Sequence, residues 1–516
     1  MPDKYSSNNQ RIAKNTILLY ARMLLILAVS LYTSRVVLNT LGVEDYGIYN
    51  VVGGIVAMFS FMEGALITTT QRYITFELGK GNMDHLRVVF STSIFIHAIL
   101  AILVIILSES VGLWFFYNKM VIPEERMGAA MWVFQLSIVT MVIQIMSAPY
   151  NSLIIAHEKM GVFAVISIIG AFLKLAIVYL LLIGETDKLV LYAILMLLAQ
   201  VIIRMLYTQY CKKHFEESGL TRQLDKSLIK EMGKFAGWNV WGNIAATLYS
   251  TGLNLLLNVF FGPIVNAARG VAVEVERGIV QLSTNFLMAA NPQITKLYAQ
   301  EKIGEMHQLL FRSCKFCCYL ILICTVPIMM ETDAILTVWL KTVPEYAVWF
   351  VKFILLIVLV DAMAKPLMTA AAATGNVKKY QSVVGGLLLS IVPIAYIVLK
   401  LGGNPVSVYV VHLSVYIVAY LARLFIVRPL IRLSLRQFFV NVLLPCILVT
   451  GLSYGLSYCV KIILPSGAFF SVLTCFTSIL IVGLLSYSIG FTKRERAFIN
   501  EKVVLIFHKV FHTKEQ

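Results

Sequence analysis

Fourteen apolar runs follow one another along this chain with only short polar breaks between them. Each is about 20 residues or longer, the length a helix needs to cross the hydrocarbon of a bilayer. They cover approximately 16–39, 47–70, 88–112, 129–155, 160–183, 189–210, 235–261, 265–291, 313–333, 347–373, 381–401, 405–427, 437–462 and 467–491. In hydrocarbon the backbone must satisfy its own hydrogen bonds, so such runs become helices. Composition agrees: 59% of the 516 residues are hydrophobic and 14% charged, against about 45–50% and 25% in soluble domains. The expected fold is an all-α polytopic membrane protein of about 14 spans. Met1 to Asn15 is polar, with Lys4, Arg11 and Lys14, and no small-residue cleavage site follows; the first run should stay as a span.

The formal charge of +16 would suit nucleic acid if the cations were clustered on one soluble face. They are sorted by side instead. With the N-terminus inside, about 28 Lys/Arg fall in cytoplasmic segments and about six outside, as the positive-inside rule requires. The inside clusters are Lys212-Lys213 through Lys234, Lys378-Lys379, Arg428 to Arg436, and Lys493-Arg494 with the tail. Both termini are expected in the cytoplasm, and no nucleic-acid partner is needed. Cys314, Cys317, Cys318 and Cys324 have no second ligand pair at zinc-like spacing and read as small buried hydrophobes, so no metal site is expected.

The chain also repeats itself. Pro123-Glu124 recurs as Pro344-Glu345, Pro149 as Pro366, Gly42 as Gly262, Val88-Val89-Phe90 as Leu309-Leu310-Phe311, and Tyr179 as Tyr396. The offset stays near 220 residues, far longer than a solenoid unit. Six spans per repeat put both lobes on the same side, as parallel repeats about an axis along the membrane normal. The domains expected are a six-helix lobe over 1–210, a basic amphipathic linker over 211–234, a second six-helix lobe over 235–430, and two extra helices with a tail over 431–516. In the linker Leu224, Leu228 and Ile229 oppose Lys226, Lys230 and Lys234.

Ionisable groups inside spans are costly and normally face a cavity or a partner. Arg35, Arg204, Lys352 and Arg423 lie near span ends, where snorkelling explains them. Arg22 and Lys174 lie deeper; Lys174 either faces a cavity or pairs across helices. Span eight carries Arg269, Glu274, Glu276, Arg277 and Gln281 within one polar arc, with Glu274 and Arg277 spaced to neutralise one another. That arc either lines water or forms a polar seam between lobes. Asp361 and Lys365 form an i,i+4 pair ahead of Pro366, either self-satisfied or a gating carboxylate with its partner. Glu63 is a proton or cation site or the partner of a first-lobe arginine. Trp238, Asn243 and Asn254 in span seven suit stacking on and hydrogen bonding to a sugar. A net-positive cavity between two lobes fits an anionic amphiphile, because arginine grips phosphate bidentately. A pyrophosphate-linked lipid carrying sugars is such a molecule.

Ser34-Arg35-Val36-Val37-Leu38-Asn39 with Leu41-Gly42-Val43-Glu44-Asp45-Tyr46-Gly47-Ile48-Tyr49 resembles the first span and loop of bacterial polysaccharide and O-antigen flippases. Phe261-Gly262-Pro263 with Asn266-Ala267-Ala268-Arg269-Gly270, and Asn291-Pro292-Gln293-Ile294-Thr295-Lys296, carry the same resemblance. These flippases belong to the multidrug/oligosaccharidyl-lipid/polysaccharide exporter superfamily. The resemblance implies a bacterial inner-membrane protein that moves undecaprenyl-pyrophosphate-linked oligosaccharide to the outer leaflet by alternating access. It implies a central cationic cavity lined by the first two spans of each lobe, here Arg22, Glu63, Arg269 and Arg277. Arg22, Arg269 and Arg277 would hold the pyrophosphate and proximal sugar, with Lys174, Trp238, Asn243, Asn254 and Gln281 as further substrate-binding residues of the cavity. Glu63, Glu274, Asp361 and Lys365 would serve coupling or gating, driven by Na+, H+ or the membrane potential, with no cofactor. The lipid bilayer, a polysaccharide polymerase and assembly proteins are the further partners implied. The rival is an ion-coupled multidrug exporter of the same superfamily, for which an acidic cavity would be expected. A glycosyltransferase is disfavoured, since the loop holding Glu44-Asp45 has only about seven residues and no external domain exists to hold an acceptor. No catalytic residues are expected.

Overall fold

The computed structural model describes residues 4–120, 122–183, 187–221, 225–465, 467–493 and 495–497. They are helical almost throughout, with no strand among them. Helix α1 (Lys4–Ala57) bends at Gly42 into two arms, 4–41 and 43–57, and α2 (Ser60–Lys80) continues the second arm. The first lobe is completed by α3 (Met83–Leu107), α4 (Met127–Ala156), α5 (Met160–Ile183) and α6 (Lys188–His214). The second holds α7 (Lys226–Phe261), α8 (Pro263–Ala299), α9 (Ile303–Met330), α10 (Ala347–Ala373), α11 (Lys378–Lys400) and α12 (Pro405–Leu430). Helices α13 (Leu444–Ile463) and α14 (Ala468–Leu485) pack on each other and on α9, outside the repeat.

Repeated residues sit at repeated joints. Gly42 has φ 82°, ψ 166° and Gly262 φ 78°, ψ −173°, a left-handed conformation that a Cβ penalises, and each turns the chain from its lobe's first helix into the second. Pro149 and Pro366 lie inside α4 and α10. Asp187 caps α6 by accepting from Leu189 and Val190, and Asn404 caps α12 by accepting from Ser407.

Twelve described segments are long and apolar enough to cross a membrane. The fourteen read from sequence include two more, the second helix of each lobe (43–80 and α8), which are as long but more polar. Both pack against helices of the opposite lobe as well as of their own, which places them between the lobes. The linker boundary at 234 falls inside a helix, since α7 runs unbroken from Lys226. Its first turns are amphipathic: Leu228, Met232 and Phe235 are buried, while Lys226, Lys230 and Lys234 are exposed. Leu224, Arg494, the tail beyond 497 and the side chain of Arg35 lie outside the described residues. Cys314, Cys317 and Cys318 are buried in the apolar core of the second lobe.

Candidate functional site: the seam and cleft between the lobes

The lobes meet along α1, α2, α7 and α8. Midway along these helices Tyr20 donates to the Leu282 carbonyl (2.9 Å), Asn285 reaches the Met23 sulfur (3.0 Å), and Asn243 donates to the Phe61 carbonyl (3.0 Å). Toward the face carrying the N-terminus the contacts multiply. Gln381 donates to Asn239 (2.8 Å), which in turn reaches Thr69 (3.5 Å), and Tyr73 donates to Glu231 (2.9 Å). Arg72 of α2 is buried against Tyr73 and Phe76 and donates to the carbonyls of Ala372 and Ala373 at the C-terminus of α10 (3.2 and 3.0 Å). Carbonyls at a helix C-terminus carry its negative dipole end, and although the Ala372 carbonyl also accepts from the Gly375 backbone, the pair makes a good seat for a cation.

At the outermost turn Lys296 of α8 pairs with Glu158 (2.6 Å), and Gln293 donates to the same carboxylate (2.5 Å). Glu158 stands at the turn between α4 and α5 with φ 60° and is 8% exposed. Beside it α2 and α8 cross so closely that a Cβ on Gly79 would lie 2.8 Å from that of Ala299 and 3.0 Å from the Lys296 backbone. Beyond the midpoint, toward Gly42 and Gly262, no hydrogen bond joins the lobes among the described residues. Among the described residues the lobes are therefore hydrogen-bonded to each other toward the N-terminal face and not toward the other, along 24–57 and 244–281, the walls of the interlobe cleft.

The expected site residues divide between wall, seam and lobe interior. Glu274, Arg277, Gln281 and Asn254 are exposed on the walls. Glu274 and Arg277 pair at 3.2 Å, so this stretch of α8 presents a neutral couple rather than a free cation. Gln281 reaches back to Asn285 (3.3 Å). Asn243 is engaged in the seam, and Trp238 lies near its closed end, 5.7 Å from Lys378. Arg269, expected on the wall, is instead 5% exposed inside the second lobe, donating to the Ser250 carbonyl (2.9 Å). The exposed part of the arc is narrower than its periodicity suggests: its Glu274–Arg277–Gln281 edge faces outward, while Arg269 is buried and Glu276 half-buried.

Arg269 belongs to a polar core of the second lobe. Asp361 lies 3.6 Å from Lys365 and 3.8 Å from Arg423 of α12, so Arg423 is an internal partner rather than a snorkelling cation. Tyr249 and Tyr416 share a hydrogen bond (2.8 Å) against the ring of His412. In the first lobe Glu63 is buried and accepts from Gln144 of α4 (3.2 Å), beneath a cavity of about 320 Å³ lined by Tyr49, Asn50, Thr140 and Gln144. Arg22 stacks over Phe163 of α5 at 4.4 Å, and Lys174 on the same helix is exposed. Among the described residues no carboxylate lies within ion-pair distance of either cation, which leaves Glu63 without an arginine partner.

Sequence reasoning missed Arg72, Glu158, Lys296 and Gly79. The apolar run 47–70 ends before Arg72, whereas α2 continues to Lys80. Polar residues past the membrane boundary looked like loop because the helix they belong to is held by the other lobe, not by lipid.

No family model matches the sequence, and no curated protein matches it. Solved structures do match in fold. A multidrug resistance MATE family transporter of the MOP superfamily in an outward-facing conformation aligns at TM-score 0.72 with 12% identity, over 82% of this chain and 96% of that one. A MATE protein in its bent conformation aligns at 0.71 with 13% identity, over 83% and 99%. A MOP superfamily transporter from Pyrococcus furiosus, described as having a binding pocket of reversed polarity, aligns at 0.68 with 13% identity, over 82% and 96%. This chain shares the fold of these structures.

Proposed function

We propose that the protein is an alternating-access exporter, drawn here with its cleft open to the outside. The observation that carries this reading is the confinement of the interlobe bonds to the N-terminal half, the half that bears the cytoplasmic Lys/Arg clusters. A solute in the cleft would meet the outer side, and breaking the Glu158–Lys296 and Arg72 contacts would open the other. The cargo we favour is an anionic amphiphile, an undecaprenyl-pyrophosphate-linked oligosaccharide carried from inner to outer leaflet of a bacterial cytoplasmic membrane. The placement of charge supports it: Arg22 and Lys174 lack acidic partners, while Glu63, Glu276 and Asp361 are withdrawn into the lobes. With Arg269 buried and Arg277 paired, the headgroup contacts in this reading fall to Arg22 and Lys174; Arg22, stacked over Phe163 on the closed side of the cleft, meets the headgroup in the state open to the inside. Export of cationic drugs is the second reading. It draws on the multidrug MATE relatives in fold and on Glu63, a buried acid whose described partner is a neutral amide. In that case Glu63 and Asp361 would bind the coupling Na+ or H+.

Proteoliposomes separate the two. Under the first reading they translocate a lipid-linked oligosaccharide, and Arg22→Gln with Lys174→Gln lowers the rate at least about tenfold, the value of one lost charge-assisted contact. Efflux of an ethidium-type dye without lipid translocation would establish the second. If neither cargo moves, the transport reading itself fails.

A further inference from the structure

A cavity of about 160 Å³ lies inside the seam, between α2 of the first lobe and α8 and α10 of the second. Its polar lining includes Gln71 and Thr75 of α2, Asn291 and Thr295 of α8, and Thr369 of α10. The one charged residue that lines it is Arg72, and no carboxylate does. The space has room for one small anion with a few waters. Matching residues of the two lobes meet here. Gln71 and Thr75 correspond to Asn291 and Thr295 at the offset that relates Gly42 to Gly262, and so do Gly79 and Ala299, where α2 and α8 cross. Charge breaks this symmetry: Arg72 corresponds to Pro292, so the cation enters from the first lobe alone.

The groups around the cavity have donors to spare. Arg72 is 8% exposed; its Nε and Nη2 donate to the Ala372 and Ala373 carbonyls, and its Nη1 has no hydrogen bond among the described residues. No described carboxylate lies within ion-pair distance of it. Glu77 and Glu231 in its vicinity are engaged by His85 (3.1 Å) and Tyr73 (2.9 Å). Thr75 is 1% exposed and its hydroxyl has no partner, a costly state for a buried polar group. Asn291 accepts from Thr369 through its oxygen (3.0 Å), which leaves its amide nitrogen to donate.

We propose that this cavity binds a small inorganic anion, a halide or an orthophosphate, held by Arg72 together with hydroxyl and amide donors from both lobes. A buried guanidinium among neutral donors, with no acid on the wall, attracts an anion and repels a metal ion. Bound there, the anion ties α2 to α8 and α10 and stabilises the arrangement in which the lobes are joined at this end. The site lies in the seam rather than on the cleft walls, and its binding is read without transport, so it stands or falls apart from the cargo.

The test uses the full-length protein in detergent at fixed ionic strength, with the bulkier gluconate replaced stepwise by chloride or by phosphate. The unfolding temperature of the wild type should rise along a saturating curve. A rise with chloride assigns the site to a halide, a rise with phosphate to an oxyanion, and either supports it. Arg72→Gln should abolish the rise. Thr75→Val keeps the side-chain shape and breaks no hydrogen bond of the structure, so it should fold normally yet need about tenfold more anion for the same rise. That variant keeps the test decisive should Arg72→Gln fail to fold. A wild type indifferent to which anion is present would overturn the site, as would matching curves for wild type and Thr75→Val, which mark a general salt effect. Lys400→Gln, at the opposite face, should keep the full rise; its loss there refutes the site.

Discussion

The two lobes share a skeleton and differ in what they hold inside it. Gln144 of α4, five residues before Pro149, corresponds to Asp361 of α10, five before Pro366. In the first lobe that position donates to the buried Glu63; in the second it is itself the acid, held by Lys365 and Arg423. Arg22 likewise corresponds to Gly242, where the missing side chain makes room for Gln381: a Cβ there would lie 2.2 Å from the Gln381 amide oxygen. One lobe keeps a cation at this height and the other a tight helix–helix contact. Residues that shape backbone are retained because both lobes need the same joints, whereas charges can be rearranged as long as each buried one finds compensation.

The largest test of this contrast is Asp361→Asn, which leaves Lys365 and Arg423 without their carboxylate. It should cost about 3–5 kcal/mol, seen as a marked fall in thermal unfolding temperature in detergent. Gln144→Ala at the matching site removes one neutral donor from Glu63 and should cost about 1–3 kcal/mol. Equal losses would mean that the lobes are not differently compensated. Next in size, Arg72→Ala removes two charge-assisted bonds across the seam. Accessibility of a cysteine placed at Thr295 to a reagent on the N-terminal side should rise about tenfold, and an unchanged rate would show that Arg72 does not hold that end shut.

Gly42→Ala and Gly262→Ala probe what the lobes share. Each forces a Cβ into a left-handed conformation costing about 1–2 kcal/mol, and the two losses should match. The smallest effect belongs to a device found in the first lobe alone. Arg126 binds both Asp45 (2.6 Å) and Asp187 (2.6 Å) beside the Gly42 turn, while in the second lobe Ala347 and Asn404 stand at the places of Arg126 and Asp187. The hydrogen bond from Arg126 holds the Asp187 carboxyl below the usual carboxylate range. A depressed carboxyl stabilises the fold above its unfolded value and loses that contribution as pH falls through its folded value, so the clasp should persist until below about pH 4. Asp187→Asn should remove at most about 1 kcal/mol at neutral pH and abolish that acid-dependent step in unfolding temperature.

Much of the architecture was legible because its signals are local. Apolar runs of membrane length report helices, Gly42 and Gly262 report turns whose positive φ favours glycine, and Pro149 and Pro366 mark the same helix in each lobe. The site was less legible. Arg269 and Arg277 are eight residues apart on one helix, yet one is buried against Ser250 and the other exposed beside Glu274. Helical periodicity fixes their relative azimuth but not which way the helix is turned. Arg72 and Glu158 were invisible for a related reason: their partners lie 300 and 138 positions away in the chain.

The amino-acid sequence alone determined that this chain inserts as a helical bundle and folds as two parallel copies of one unit, because burial of apolar length and backbone tolerance act residue by residue. The tertiary structure decided which charges meet across the seam, which retire into a lobe, and which face of the molecule is shut. Those outcomes depend on helix rotation and on contacts between residues far apart in the chain, and no local pattern encodes either.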